Sequence, residues 1–284
     1  MTKALISLCL ALGLHLVYAS GAQAQSAATL SIAEGQVNFL RGTATYRAAA
    51  GVKLAPGDMI ETGPKSQAQI EFGDRLVLNV GAESKLYLLP LAAGKTPDYA
   101  LAAGWLKAAP MGKGDARELR FLLPGVTLDT SDATLVMHTD AGLDEVFVES
   151  GALKATETAH DGAFGKVLSA KGSDYLSRRE DQAAALGRPT KLFLDGMPRQ
   201  YRDNLPLLAA KVKAPAREPA ADHDSSFTEV QAWLDANALI RAGLVQRYLP
   251  RLKDAEFKAG IVASMATHPE WEQVAGGKAS PRKK

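Results

Sequence analysis

Between residues 67 and 72 apolar and polar side chains alternate, with Ala68, Ile70 and Phe72 on one side and Gln67, Gln69 and Glu71 on the other. A period of two describes a β-strand with one buried and one wet face. Gly73-Asp74 follows, a pair suited to a two-residue hairpin turn because glycine tolerates positive φ. On the return Leu76, Leu78 and Val80 share the buried face, with Val77 and Asn79 opposite. Short strands of the same kind are expected at 36–40, 58–61, 85–89, 99–107, 134–138, 145–149, 152–156 and 174–178. Turn residues separate them at Gly42, Gly63-Pro64, Gly125, Gly142, Gly151 and Gly172. Turns every ten residues or so predict a mainly β domain over residues 30–178, built as a sandwich, a roll or a short solenoid.

The pattern changes near Gly187. Residues 179–224 read as a connecting segment. Its last part, 213–224 (KAPAREPAADHD), has the proline, alanine and charge content of a linker. Ser226 and Glu229 then fit a capping box, in which each side chain serves the other's backbone N–H. Val230, Trp233, Leu234, Ile240, Leu244, Val245 and Tyr248 form a helical stripe up to Pro250. A second helix is expected from Asp254, burying Phe257, Ile261 and Met265. A small helical region over 225–275 therefore completes the chain. Two short helices bury little alone and are expected to pack on each other or on the β portion.

The first residues belong to neither part. Lys3, an apolar run from Ala4 to Val17 and the sequence Ala22-Gln23-Ala24 describe a secretory signal peptide over residues 1–24, cleaved after Ala24. The apolar run is shorter than the ~20 residues a membrane-spanning helix needs, so no stable membrane insertion is expected after cleavage. The expected location is the periplasm. Cleavage would remove Cys9, the single cysteine, and with it any disulfide, thiolate metal site or cysteine nucleophile.

Without the leader the chain carries 32 basic and 31 acidic side chains. Such a balance gives no electrostatic basis for wrapping nucleic acid. The basic tail of Lys278, Arg282, Lys283 and Lys284 reads as a solvated end. No Gly-x-Ser-x-Gly elbow or Ser-x-x-Lys run is present, and neither PMGKGDAR (110–117) nor DGAFGKV (161–167) completes a phosphate loop. His138 reads as a hydrogen-bonded strand histidine, His160 and His223 as loop residues, and His268 as a helix-end residue able to cap carbonyls. Asp222-His223-Asp224 reads as a solvated cluster, and Asp140, Asp144 and Glu145 as turn formers. No catalytic residue, cofactor or metal site is assigned. Of the three tryptophans, Trp233 lies on the helical stripe and belongs to a core, whereas Trp105 and Trp271 are the candidates for a binding surface.

The order of the β motifs resembles the FecR-type periplasmic domain. The residues that carry the resemblance are Gly35-Gln36-Val37, the segment from Leu54 through Gly57-Asp58 and Ile60 to Thr62-Gly63, the alternating strand at 68–72, and Glu149-Ser150-Gly151. It covers roughly residues 30–156. Where that family often carries Arg-Gly-Thr, this chain has Met137-His138-Thr139. The cytoplasmic segment of the sigma-regulating members is absent here, so direct sigma-factor control is not expected. The resemblance implies a non-enzymatic periplasmic protein that binds a partner in envelope signalling or maintenance. A peptidoglycan- or polysaccharide-binding module is the alternative, and a hydrolase with dispersed carboxylates a third class. The partner expected is an envelope protein or a cell-wall polymer.

Overall fold

A computed structural model of the chain describes residues 28–73, 75–90, 98–111, 118–179, 182–215 and 218–275. The expected leader and cleavage site, Asp74 of the expected turn, most of the 110–117 loop and the basic tail lie outside the described residues.

The strands are β1 (Ala28–Glu34), β2 (Val37–Arg41), β3 (Ala44–Arg47), β4 (Lys53–Leu54), β5 (Met59–Thr62) and β6 (Gln67–Glu71). There follow β7 (Leu76–Val80), β8 (Lys85–Leu88), β9 (Asp98–Pro110), β10 (Leu119–Leu122), β11 (Val126–Thr130) and β12 (Thr134–Asp140). The remainder are β13 (Leu143–Ser150), β14 (Ala152–Thr158), β15 (Phe164–Lys171), β16 (Tyr175–Arg179), β17 (Gln182–Leu186) and β18 (Ala221–Asp224). All belong to one hydrogen-bonded sheet, antiparallel except where β9 meets β10. The sheet curls over on itself through β9. The first part of that strand pairs with β8 and β10, and its second part with β7 and β12.

Two layers result. One runs β4-β1-β6-β7-β9-β12-β13-β16-β17 and the other β18-β3-β2-β5-β8-β9-β10-β11-β14-β15. Of the three architectures expected, the roll is the one formed. The hairpin of β6 and β7 has the expected faces, with Ile70 opposite Leu78 and Ala68 opposite Val80. Its loop is one residue longer than expected, because the amide of Phe72 still bonds the carbonyl of Leu76.

Alternation along the strands feeds separate cores. Phe39, Ile60, Leu86, Leu78, Leu101 and Met137 point between the layers into one cluster. Their neighbours Leu40, Met59, Tyr87 and Ala100, with Leu122 beside Phe121, point out of the second layer into another cluster, completed by the C-terminal helices. These helices are not the two the stripe suggests. The stripe over 230–248 breaks into α2 (Phe227–Leu234), α3 (Ala238–Arg241) and α4 (Leu244–Tyr248), preceded by α1 (Lys191–Gly196) in the connecting segment. Asn237 accepts from the amides of Leu239 and Ile240 and starts α3, and Gly243 at φ +84° starts α4. The capping box forms as expected. Asp254 caps α5 (Ala255–Ala263), which buries Phe257 and Ile261, and α6 (Glu272–Ala275) follows.

The helices are fixed to the sheet by polar contacts as well as by burial. Arg247 donates to the carbonyls of Gly42 and Gly57 at 2.6 Å and of Leu40 at 3.0 Å, and Asn237 donates to those of Leu123 and Pro124. His268, expected to cap carbonyls, instead meets Asp235 at 2.8 Å.

The connecting segment departs most from its expected character. Residues 182–186 form the hairpin partner of β16, so the β portion extends beyond 178. Residues 221–224, expected within a linker, add β18 to the edge of β3. Between them residues 191–211 form a strap across the outer face of the first layer. Phe193 and Tyr201 pack there on Val136 and Tyr175, and Leu205 on Val77 and Ala109. The strap corrects the expectation of a wet face on β6 and β7. Gln69, Glu71 and Asn79 are buried beneath it. The main chain of the strap supplies partners to Gln69 and Glu71, as burial of such groups requires, while the Asn79 side chain reaches only that of Gln69, at 3.4 Å. The Glu71 carboxylate accepts from the amides of Leu208 and Ala209, and Gln69 donates to the carbonyl of Pro206. Burial alone would raise the Glu71 pKa, but hydrogen bonds from Ser31, Ala209, Leu208 and Gln69 outweigh it and lower the pKa below its ordinary value.

Candidate functional site

The Gly-Asp motif of the second β segment is structural. Asp58 is buried, accepts from the amide of Ala55 at 2.8 Å, and accepts from one edge of the Arg41 guanidinium, Nε at 2.9 Å and Nη2 at 2.6 Å. The bidentate pair and the amide close the turn at 55–58 and leave that carboxylate committed.

Two other turns build the candidate site, and they are near copies. Gly63-Pro64-Lys65-Ser66 leads from β5 to β6, and Gly81-Ala82-Glu83-Ser84 from β7 to β8. The Ser66 hydroxyl accepts from the amide of Gln36 at 2.8 Å and donates to the carbonyl of Pro64. In the second turn the Ser84 hydroxyl accepts from the amide of Trp105 at 2.8 Å and donates to Ala82. Each serine sits against a glycine of positive φ. A Cβ on Gly35 would lie 2.4 Å from Ser66 Oγ, and one on Gly104 would lie 2.2 Å from Ser84 Oγ. The turns are tied together, the amide of Glu83 donating to the carbonyl of Gly63.

In both turns the residue before the serine is left-handed, Lys65 at φ 54° and Glu83 at φ 51°. Such positions favour glycine or asparagine, and a residue with a Cβ costs roughly 1–2 kcal/mol there. Both side chains instead carry charge and line the same open cleft of about 750 Å³, together with Gln67, Trp105, His138 and Asp140. Lys65, Glu83 and Asp140 form no ion pair among the described residues.

Trp105 on β9 and His138 on β12 are cross-strand neighbours, and their rings stack with centroids 4.1 Å apart and an interplanar angle of 23°. Such ring contacts between facing strands add to the stability of a sheet. His138 Nδ1 lies 2.9 Å from Glu145 Oε2, and the Tyr175 hydroxyl donates to the other oxygen of that carboxylate. Burial raises the Glu145 pKa, but the bonds from His138 and Tyr175 outweigh it and hold the carboxyl below its ordinary range. The strap closes one side of the cleft with Gly196, Pro198 and Gln200, and Phe193 packs on Trp105 at 5.1 Å.

Of the two tryptophans expected at a binding surface, Trp105 is half-buried and lines the cleft. Trp271 does not. It is 1% exposed within the helical cluster, so its reading as a surface aromatic is corrected: its ring is consumed in covering the second layer. Trp233 is buried as expected, with Nε1 donating to Glu61 at 3.1 Å. His138 is the hydrogen-bonded strand histidine expected, and it also lines the cleft. His223 is not in a loop but on β18, between Asp222 and Glu229. Lys65 and Glu83 escape the sequence reading. The available signal is the repeated Gly-x-charged-Ser pattern, 18 residues apart, at 63–66 and 81–84.

The two hydroxyls that line the cleft are committed: Ser66 as described, and Thr139 to Asp144 at 2.7 Å. Among the described residues no group of three or more His, Cys, Asp or Glu side chains is placed to hold a metal ion. Nor, among the described residues, is any helix long and apolar enough to cross a membrane.

Fold and cleft together define a β-roll scaffold clamped by a strap and a helical cover, with a polar, aromatic-based cleft. No family model matches the chain, and no curated protein does. Among solved structures it is similar to two crystal structures of a "putative anti-sigma factor" from Parabacteroides distasonis ATCC 8503. The TM-scores are 0.38 and 0.39 at 9% identity, covering 46% and 49% of this chain. The chain spans 59% and 64% of the length of those proteins.

Proposed function

We propose that this chain is a non-enzymatic binding protein of the cell envelope, of FecR type, and that its recognition surface is the Trp105 cleft. The observation that carries the reading is the pair of left-handed turns. Local stability favours glycine at residues 65 and 83, yet both hold charged side chains that line one cleft beside an aromatic stack. Backbone strain gathers at sites where function selects the residue. Hydroxyls already committed to hydrogen bonds support a site that holds a ligand rather than one that attacks it.

A cell-wall glycan is the second reading, favoured by Trp105 among the amides of Gln67 and Gln200. The test is a photo-reactive side chain at position 65 or 83 of the exported protein, with Lys258 on α5 as the control position. Adducts form from the cleft positions and not from 258, and their mass separates protein from glycan. Adducts of equal yield at all three positions, or none at 65 and 83, would sink the proposal.

A further inference from the structure

The second half of the strap, residues 203–209, is held differently from the first. Phe193 and Tyr201 are anchored among apolar rings. Beyond them Leu205 is the one buried side chain, while Asp203, Asn204, Pro206 and Leu207 are exposed. Leu205 sits against Val77, Ala109 and Met111. The other contacts run from the sheet to the main chain of the strap. Lys107 Nζ donates to the carbonyls of Tyr201 at 2.7 Å and Asp203 at 3.0 Å, and Gln69 to that of Pro206 at 2.8 Å. The Glu71 carboxylate accepts from the amides of Leu208 at 2.8 Å and Ala209 at 2.9 Å.

Main-chain bonds with a single side-chain pocket are the way a protein reads an extended peptide: the backbone supplies affinity and the pocket supplies selectivity. The surface beneath is also unusual for a permanent cover. Gln69, Glu71, Asn79 and Lys107 are each at most 2% exposed. A face buried once and for all is ordinarily apolar, because buried charges carry a desolvation cost that attraction does not always recover. A polar row is rehydrated when its cover leaves, so the apolar surface exposed by lifting this half of the strap is confined to Leu205 and its pocket of Val77, Ala109 and Met111. Local opening of a segment with few apolar contacts is of low free energy relative to global unfolding.

We infer that the outer face of β6, β7 and β9 is a peptide-binding groove, occupied in cis by residues 203–209. It takes a segment of a partner protein that offers one leucine-sized anchor and free carbonyls beside it. After the anchor it needs two consecutive amides at the start of a turn, as Leu208 and Ala209 offer at the head of the 3-10 turn Ala209–Lys211. The cis segment defines this chemistry: Leu205 fills the pocket, and Pro206 presents its carbonyl to Gln69 without an amide to satisfy. The groove is separate from the Trp105 cleft and stands or falls independently of it.

The test uses the full chain and a fluorescent peptide of residues 203–212, DNLPLLAAKV. The variant Leu205→Asp frees the strap without touching the groove. The peptide binds this variant at least tenfold more tightly than the wild type, where the tethered copy competes, and adding Glu71→Leu abolishes the gain. A folded Leu205→Asp chain that binds no more tightly than wild type would overturn the inference. Should that variant not fold, hydrogen exchange on the wild type decides. The amides of Leu208 and Ala209 exchange at least a hundredfold faster than those of Ile70 and Leu78, and equal protection would overturn the inference just as well.

Discussion

Replacing Trp233 by alanine lowers the stability of the whole molecule by about 3–5 kcal/mol, the range for deleting a fully buried large aromatic. The indole is 0% exposed, meets the Tyr87 ring edge-on with centroids 5.8 Å apart, and donates Nε1–H to Glu61. Tyr87 and Glu61 belong to the β-roll, so the loss falls on the joint between the helices and the sheet. For a chain of this size the melting temperature drops by roughly 10 °C in one transition. Val262 on α5, 48% exposed, provides the contrast: alanine there shifts stability by no more than about 0.5 kcal/mol. Thermal unfolding followed by circular dichroism distinguishes the cases. A separate early transition in Trp233→Ala, with the β signal melting at the wild-type temperature, would mean that the helices form an independent unit.

The second large effect is expected at Gly104, where β9 passes from one layer to the other. Its φ is +83°, and a Cβ would lie 2.2 Å from Ser84 Oγ and 2.6 Å from Ser84 Cα. The hydroxyl could rotate away, but the Cα belongs to the backbone and has no such freedom. Gly104→Ala combines left-handed strain of roughly 1–2 kcal/mol with overpacking of roughly 1–3 kcal/mol, and about 3 kcal/mol is expected in urea titration. Gly142 has nearly the same φ, +84°, and a methyl group there would meet nothing within 4 Å, so alanine carries the conformational cost alone. Equal losses at the two glycines would show that the Ser84 contact does not shape the turn.

Much of the roll is legible in the sequence because its strands alternate. Ala68, Ile70 and Phe72 announce β6, and Leu76, Leu78 and Val80 announce β7. Strands lacking that contrast escape notice. β15, Phe164–Lys171, is an edge strand with most of its residues exposed, so its sequence carries no inward stripe. β3 is hidden by the arginine and threonine in ATYR.

Alternation also misleads where a third layer lies on top. Gln69 and Glu71 are polar and would face water in an isolated hairpin, and only the strap, some 137 residues further on, buries them. The helical stripe is apolar as expected but not continuous, since Asn237 and Gly243 look tolerable inside a helix until their caps are seen.

At the site, Trp105 lines the cleft and Trp271 is not a surface residue. Trp105 sits in an apolar run and Trp271 between Glu270 and Glu272, the reverse of their burial, so tertiary packing alone separates them. Asp58 shows the same limit from the other side. Its motif reads as a turn signature, and the bond to Arg41 explains why a carboxylate is needed there.

The claim that the cleft is shaped for a ligand is tested most directly by the double variant Lys65→Gly/Glu83→Gly. Glycine relieves roughly 1–2 kcal/mol of left-handed strain at each position and costs about 0.5–1 kcal/mol in unfolded-chain entropy. The purified variant is therefore expected to melt no lower than wild type while capturing at least tenfold less of the cleft's ligand from an envelope extract. Capture at the wild-type level by this equally stable protein would contradict the account.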